Sequence, residues 1–547
     1  MKKYLPLLSI LLLASVLRLY QLGINPPSLD WDEASLGYNA YSILKTGKDE
    51  FGNFLPLSIR SFNDYKPPLY TYLDIPFIAT FGLNELAVRL PSALVGIIAV
   101  AACYYLTLEI FKAHKHSLAL AQFSSLLLAI SPWHLQFSRA AFEANLALTF
   151  YLLSVLFFLK WINTKVDFVI GNWFLVIAAS SAAAALYSYH SARLIVPAMF
   201  LFLALKYKYI LFQRWRTTSL ALALAIILLA PLLYITFRGG TSNRFNTVSI
   251  FTNPGEFSRE AERLNRAVFF RSQDPIPLSY MHHPYTVYAK IILRNYFEHF
   301  NFDFLFLTGD GNGRHTSAGM GLLYLASLPL LLYGFFSLAK DKSDHSFVVW
   351  LWLLLGPLAA AITADTPHVI RSLLMLPAIQ ILTAYGIISV FQRLQSTKSS
   401  YVLRYSLYGG FVLLFSLNVF FYLKLYYFVS PHERSQDWQY GYKQLVFKVN
   451  KIKSNYDNIY ITNKYDQPQV FFAFYTPIDP NIYQTYAETA HEHIENITFK
   501  DIEYRTDIQD SNSIVIADPA DSPSDAHSFD QIRFLDGTTA FNFFSSQ

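Results

Sequence analysis

The sequence predicts an all-α polytopic membrane protein carrying a small α/β domain at its C-terminal end. Three observations predict it. The 547 residues are 53% hydrophobic and only 15% charged, against roughly 25% charged in soluble domains. Apolar runs follow one another from residue 4 to residue 428, and beyond 429 the composition turns normally polar. Aromatic residues reach 17% of the chain, which suits belts at membrane–water interfaces.

The apolar runs fall at about 4–20, 91–111, 118–131, 146–160, 173–189, 193–205, 218–236, 318–339, 347–363, 370–391 and 405–428. Several are shorter than the roughly 20 residues a spanning helix needs. Met1-Lys2-Lys3 before the first run could open a cleaved signal peptide. A retained helix is the better reading, because the run reaches Tyr20 and no small-x-small site follows it. About eleven spans put the N-terminus in the cytoplasm and the C-terminus outside it, in a plasma (inner) membrane.

Loop charges agree with that orientation. Lys112, Lys115, Lys160, Lys165, Lys206, Lys208, Arg214, Arg216, Lys340, Lys342, Arg393, Lys398 and Arg404 fall in predicted inner loops. The short outer loops carry only Arg139, Arg193 and Arg371, one each, as the positive-inside rule requires. The net charge of +5 therefore needs no nucleic-acid partner. The single cysteine, Cys103, excludes an intrachain disulfide.

Three outer segments are long. In 21–90, Ala34, Tyr38, Tyr41 and Leu44 recur at helical spacing over 33–46, as in a helix lying on the membrane surface. A second helix follows Asn84, with Glu85 and Arg89 spaced to pair at i, i+4. Segment 237–317 is polar, holds Gly239-Gly240 and several prolines, and suits a lid. In 429–547, Asn458–Thr462 and Ser513–Ala517 read as strands bounded by turn residues. The chain thus divides into a membrane domain, 1–428, and an extracytoplasmic α/β domain, 429–547.

Polar residues gather at the outer ends of the spans. Asp30, Asp32 and Glu33 follow the first run directly. Carboxylates there could serve as a base or hold a divalent cation, or they could simply cap the next helix. Glu143, in Ser138-Arg139-Ala140-Ala141-Phe142-Glu143, is an acid beside apolar helices, where charges are costly and usually paired or functional. A pair with Arg139 capping the helix end is the competing reading. Lys66 precedes Pro67-Pro68-Leu69-Tyr70. The prolines disfavour helix and leave its ammonium near the membrane, placed to meet a phosphate or merely to snorkel. Tyr189, His190 and Arg193, then His368 and Arg371, mark two more outer helix ends. A structural role competes for each, although guanidinium suits bidentate phosphate binding. One topology brings all five clusters to the same face. Together they suggest a membrane enzyme acting on a lipid phosphate. No Walker or Rossmann glycine pattern is present, so no nucleotide cofactor is expected.

The order Asp-Glu, then Lys66-Pro67-Pro68-Leu69-Tyr70, then Asn84-Glu85-Leu86-Ala87-Val88-Arg89-Leu90-Pro91-Ser92-Ala93, then Ser-Arg-x3-Glu resembles the GT-C glycosyltransferases. The nearest group is the protein O-mannosyltransferases and lipid A aminoarabinose transferases. The resemblance covers residues 1–200 well and 350–390 more loosely. It implies a catalytic carboxylate at Asp32 with Glu33 beside it. Glu143 stands at a second acidic position where the family usually has Asp. Lys66, Arg139, His368 and Arg371 would meet the lipid phosphate, with Tyr70, Tyr189, His190 and Arg193 as further candidates. If a divalent ion (Mg, Mn or Zn) takes part, Asp32 and Glu143 would bind it. The implied donor is a polyprenyl-phosphate hexose or pentose, transferred with inversion to a hydroxyl on a protein, lipid or cell-envelope glycan. A transporter or lipid flippase is the competing class, but it would place its charges near the bilayer midplane in related halves, not at one face.

Overall fold

The computed structural model describes residues 5–62, 64–164, 168–237, 249–252, 284–341, 345–396, 401–523 and 525–546, together with 255, 259, 262 and 263. Each of the apolar runs forms helix: α1 (Leu5–Leu19), α4 (Glu85–Ile110), α5 (Ser117–Ala129), α7 (Glu143–Asn163), α8 (Phe168–Ser188), α9 (Ala192–Lys206), α11 (Trp215–Phe237), and helices in 325–338, 347–361, 373–396 and 401–433. Five of these are long and apolar enough to cross a membrane, or six with one bent pair. Four more are apolar but shorter. The sequence count of about eleven therefore exceeds what length alone supports among the described residues. The bent pair has a local cause. Ser131 caps α6 (Pro132–Arg139) through the His134 amide and Pro132 opens it, so α5 stops and the axis turns by 54°.

The bundle packs α7 against α4 and α8, and its interior holds Trp133, Tyr151, Trp161 and Trp352 with almost no exposure. Above it lies an outer layer. The predicted surface helix is α2 (Trp31–Thr46). A hairpin follows, β1 (Ile59–Ser61) antiparallel to β2 (Asp64–Lys66). Then comes α3 (Leu69–Phe81), which starts as soon as Pro68 is passed. The lysine expected on irregular chain is therefore the last residue of a short strand. Helix formation after Asn84 is also as expected, but residues 85–90 are the first turns of the long α4 rather than a separate surface helix. Nor do Glu85 and Arg89 pair: Glu85 binds Lys443 at 2.6 Å, and Arg89 binds Glu33 at 2.8 Å. The central part of the predicted lid, 237–317, lies mostly outside the described residues. Its described parts are 249–252, where Ser249 bridges to Thr363, four scattered residues (255, 259, 262 and 263), helix Pro284–Glu298, and the segment up to Ser317, which holds a short helix at Asp303–Leu307.

The C-terminal region is a six-stranded mixed sheet ordered β4-β5-β3-β6-β8-β7. Its centre is β3 (Asn458–Thr462), parallel to β5 (Ile497–Lys500) and to β6 (Ser513–Ala517). The two predicted strands are thus the sheet's core pair. β8 (Thr539–Ser545) joins β6 antiparallel and carries β7 (Asp530–Arg533), while β4 (His493–Ile494) closes the other edge.

This domain shares a core with the first outer segment. Leu29, Ala34, Leu36 and Tyr38 of that segment cluster with Phe471, Phe474 and Tyr483. Tyr38 also donates to the Ile478 carbonyl at 3.0 Å. Gly37 marks the closest approach, where an added Cβ would stand 2.6 Å from Phe474 and 2.7 Å from Val88. Gly37→Leu is expected to destabilise the protein by about 1–3 kcal/mol through overpacking. Thermal unfolding in detergent checks this, and an unchanged midpoint would mean that the two parts do not lock together there.

Candidate active site

The first turn of α2 sorts its three acids by direction. Asp30 is the N-cap, its Oδ1 accepting from the Glu33 amide at 2.8 Å, while Glu33 returns a bond from the Asp30 amide, completing a capping box. Asp30 is fully buried and paired with Arg314 at 2.9 Å. Burial lifts its carboxyl to about 6 despite the Arg314 charge. Glu33 turns inward. It accepts from Arg89 Nε at 2.9 Å, from Arg89 Nη2 at 2.8 Å and from the Ala141 amide at 2.9 Å. Asp32, between them, points to the other side and keeps 38% of its side chain exposed. The capping reading holds for Asp30 and Glu33, which build the turn, and Asp32 is presented by it.

Asp32 opens into a cleft of about 190 Å3. Lys66 reaches it from β2, its Nζ 2.5 Å from Asp32 Oδ1. Burial disfavours the Lys66 ammonium, but Asp32 and Glu143 outweigh that and raise it above its ordinary value. Glu143 enters as the first residue of α7, and Tyr189 and His190 enter from the α8–α9 turn. Burial and the nearby Arg193 push His190 down to about 3, so its ring is neutral. His368 and Arg371 complete the wall. Arg371 donates to Thr363 Oγ1 at 2.8 Å.

Four sequence candidates do not line this cleft. Glu33 is consumed by Arg89. Arg139 makes no pair with Glu143: its guanidinium donates to the carbonyls of Leu17, Tyr20 and Asn25 and to the Tyr426 hydroxyl. Tyr70 is buried and donates to the Val88 carbonyl at 2.9 Å. Arg193 donates back to the Leu186 carbonyl at 3.2 Å. Each of them holds backbone rather than facing the opening.

The cleft also has a wall that the motif reading missed. Asp64, Asn312, Arg314 and His315 line it. Three of these, with Asp310, come from Gly309-Asp310-Gly311-Asn312-Gly313-Arg314-His315, a glycine-punctuated polar run just before an apolar one. That density was the available signal. Gly309 and Gly311 take φ of 73° and 80°, left-handed conformations that suit glycine.

Asp310, His315 and His368 offer ligand atoms all within 4.8 Å of one another. Asp310 Oδ2 lies 2.7 Å from His315 Nδ1 and 3.8 Å from His368 Nδ1, and it accepts from the Val369 amide at 2.8 Å. His368 Nδ1 is buried with no hydrogen-bond partner among the described residues. Burial and Arg371 keep that imidazole neutral, the form that binds metals. Two imidazoles and a carboxylate with an orphaned nitrogen fit a divalent ion of the zinc type. Among the described residues this is the group of three with ligand spacing; of the expected pair, Asp32 meets Lys66 at 2.5 Å.

Residues 65–235 match the family model described as dolichyl-phosphate-mannose-protein mannosyltransferase. The whole structure matches ArnT from Cupriavidus metallidurans bound to undecaprenyl phosphate, with a TM-score of 0.57 at 12% identity, over 98% of this chain and 97% of that one. Its apo form matches at 0.54 and 12% identity, over 94% and 93%. The archaeal oligosaccharyltransferase AglB from Archaeoglobus fulgidus, in complex with an inhibitory peptide and a dolichol-phosphate, matches at 0.51 and 14% identity, over 94% of this chain and 70% of that one. No curated protein sequence matches. The chain therefore has the GT-C fold that its motif order implied, and the resemblance to the O-mannosyltransferase and aminoarabinose transferase group is borne out.

Removing one partner of a buried ion pair leaves the other uncompensated. Arg89→Met is accordingly expected to lower stability by about 3–5 kcal/mol, read as loss of folded protein on thermal challenge. A variant as stable as the wild type would show that the Glu33–Arg89 pair is not structural.

Proposed function

We propose that the protein is a membrane glycosyltransferase that moves a hexosyl or pentosyl group from a polyprenyl-phosphate donor to a hydroxyl acceptor at the outer face, with inversion. One observation carries this reading. Asp32, Lys66, Glu143, His368 and Arg371, drawn from four separate stretches of chain, line one cleft on a fold shared with a lipid-phosphate-bound transferase.

In this scheme Asp32 accepts the acceptor hydroxyl's proton as its oxygen attacks the anomeric carbon. The bond from that carbon to the phosphate oxygen breaks on the opposite face, and the electron pair leaves with the phosphate. The transition state has oxocarbenium character, as in glycoside hydrolysis. Arg371 faces the growing phosphate charge, and Lys66, paired with Asp32, adds positive charge to the same cleft. Glu143, buried behind Lys66, tunes that ammonium. Asp310, His315 and His368 would hold a divalent ion, which when bound supplies positive charge beside the phosphate. A transport reading is less economical, since the charged groups gather in one cleft beside a folded polar domain.

Asp32→Asn is expected to cut transfer at least about 100-fold, the lower range of general-base contributions, while binding of undecaprenyl phosphate persists. Activity above roughly a tenth of the wild type would remove the base role. Arg371→Ala should raise KM for a polyprenyl-phosphate sugar more than KM for the acceptor, and the reverse pattern would reassign Arg371.

The scheme requires the cleft to face the outer side of the membrane. With Cys103 replaced by Ala, a cysteine at the exposed Ser511 should react with an impermeant maleimide in intact cells, whereas one at the exposed Ala113 should react only after lysis. Labelling of 113 but not 511 in intact cells would invert the topology and end the outer-face reading.

A further inference from the structure

A second and larger cleft, of about 530 Å3, lies between the first outer segment and the C-terminal sheet. It falls within the roughly 300–1,000 Å3 usual for ligand sites. Its floor is the carboxyl end of two adjacent parallel strands: Asn463 and Lys464 follow β3, and Asp501 follows β5. Open parallel sheets bind ligands at this end of their strands. The opposite wall is the β1–β2 hairpin with Glu50 and Phe51.

The hairpin divides its side chains between the two clefts. Arg60 and Phe62 line this one, and Asp64 and Lys66 line the reaction cleft. Lys66 Nζ lies 5.6 Å from the Phe62 ring centroid. A second link runs through Gln439. Its Nε2 donates to the Asp466 carbonyl at 3.1 Å on this side, and its Oε1 accepts from the Trp31 amide at 2.8 Å, next to Asp32. Phe62, Asp466 and Gln467 all line the cleft with φ of 59°, 59° and 53°. Non-glycine residues held this way are strained, and such strain collects at ligand sites.

The lining selects a ligand class. Both strong cations are already neutralised: Arg60 by Glu488, and Lys464 by Asp518 at 2.8 Å. A phosphate or sulfate therefore finds no free charge from these two. Amide and carboxylate groups, Asn463, Gln467, Asp466 and Asp501, remain along the floor, with the Phe62 ring opposite. That set suits many hydroxyl groups and a ring face. An acyl chain would meet too many polar groups. An extended peptide would pair along an edge strand, and of the six-stranded sheet this cleft takes the carboxyl ends of the inner strands β3 and β5.

We propose that this cleft binds the acceptor and that the acceptor is a saccharide chain, whose terminal hydroxyl passes the hairpin to reach Asp32. The proposal rests on the transferase reading above and adds the acceptor's chemistry to it.

The test uses full-length protein in lipid nanodiscs. Saturation-transfer NMR is run with chitotriose, mannotriose and xylotriose, and with an Ala-Thr hexapeptide. Binding of radiolabelled undecaprenyl phosphate is measured in parallel. At least one trisaccharide should receive saturation. Asn463→Ala with Asp501→Ala should weaken its binding roughly tenfold or more, with undecaprenyl phosphate affinity unchanged. Glu488→Gln, at an exposed site on the rim, provides an independent variant if the double variant folds poorly. The proposal fails if no trisaccharide binds, if the hexapeptide alone binds, or if trisaccharide binding ignores the variants that fold. Failure of undecaprenyl phosphate to bind the wild type would instead overturn the donor assignment, and the trisaccharide result would still decide the acceptor.

Discussion

The turn that presents Asp32 to the cleft depends on one buried guanidinium. Arg89 is wholly withdrawn from solvent, and an arginine carries five N–H donors that must be satisfied there. Nε and Nη2 grip Glu33, Nη1 donates to the carbonyls of Leu22 and Pro26, and Nη2 also reaches Ser28. One side chain from the start of α4 thereby fixes the loop before α2 and the first turn of α2 itself. Without that charge Glu33 would be a buried, uncompensated carboxylate, and the turn that presents Asp32 would lose its anchor.

Arg139 repeats the arrangement a few residues earlier, binding the carbonyls of Leu17, Tyr20 and Asn25. The two arginines hold a stretch of irregular backbone that would otherwise leave peptide groups unpaired at the membrane boundary. Both belong to motifs that also contain functional candidates, and both serve rigidity. Asp32 and Lys66, paired with each other, then line the cleft on supports that are already fixed.

The C-terminal sheet does more than cap the bundle. It shares a core with α2 through Phe474 and Tyr38, it supplies Lys443 to Glu85, and through Gln439 it holds the Trp31 amide. A domain whose sequence matched no recognisable motif thus forms one wall of the space next to the turn that presents Asp32. The loop 309–315 forms another, contributing Arg314 to Asp30 and His315 to Asp310. The site is a junction of the first outer loop, the α6–α7 and α8–α9 turns, this loop and the 368–371 turn.

The sequence by itself determined the membrane class, the helices in the apolar runs and the central pair of C-terminal strands, and it singled out Asp32, Lys66, Glu143, His368 and Arg371, although it set Lys66 on irregular chain where a short strand ends. These follow from hydrophobic periodicity and from the cost of charge beside lipid, both local properties of the chain. Only the tertiary structure decided which neighbouring charges face the cleft and which hold backbone. Glu33 and Asp32 are adjacent in sequence, yet about 100° of helical rotation sends one to Arg89 and the other to Lys66. Likewise, no spacing rule could join Asp310 and His315 to His368, some fifty residues later, because that meeting is set by how two outer loops pack and not by any pattern along the chain.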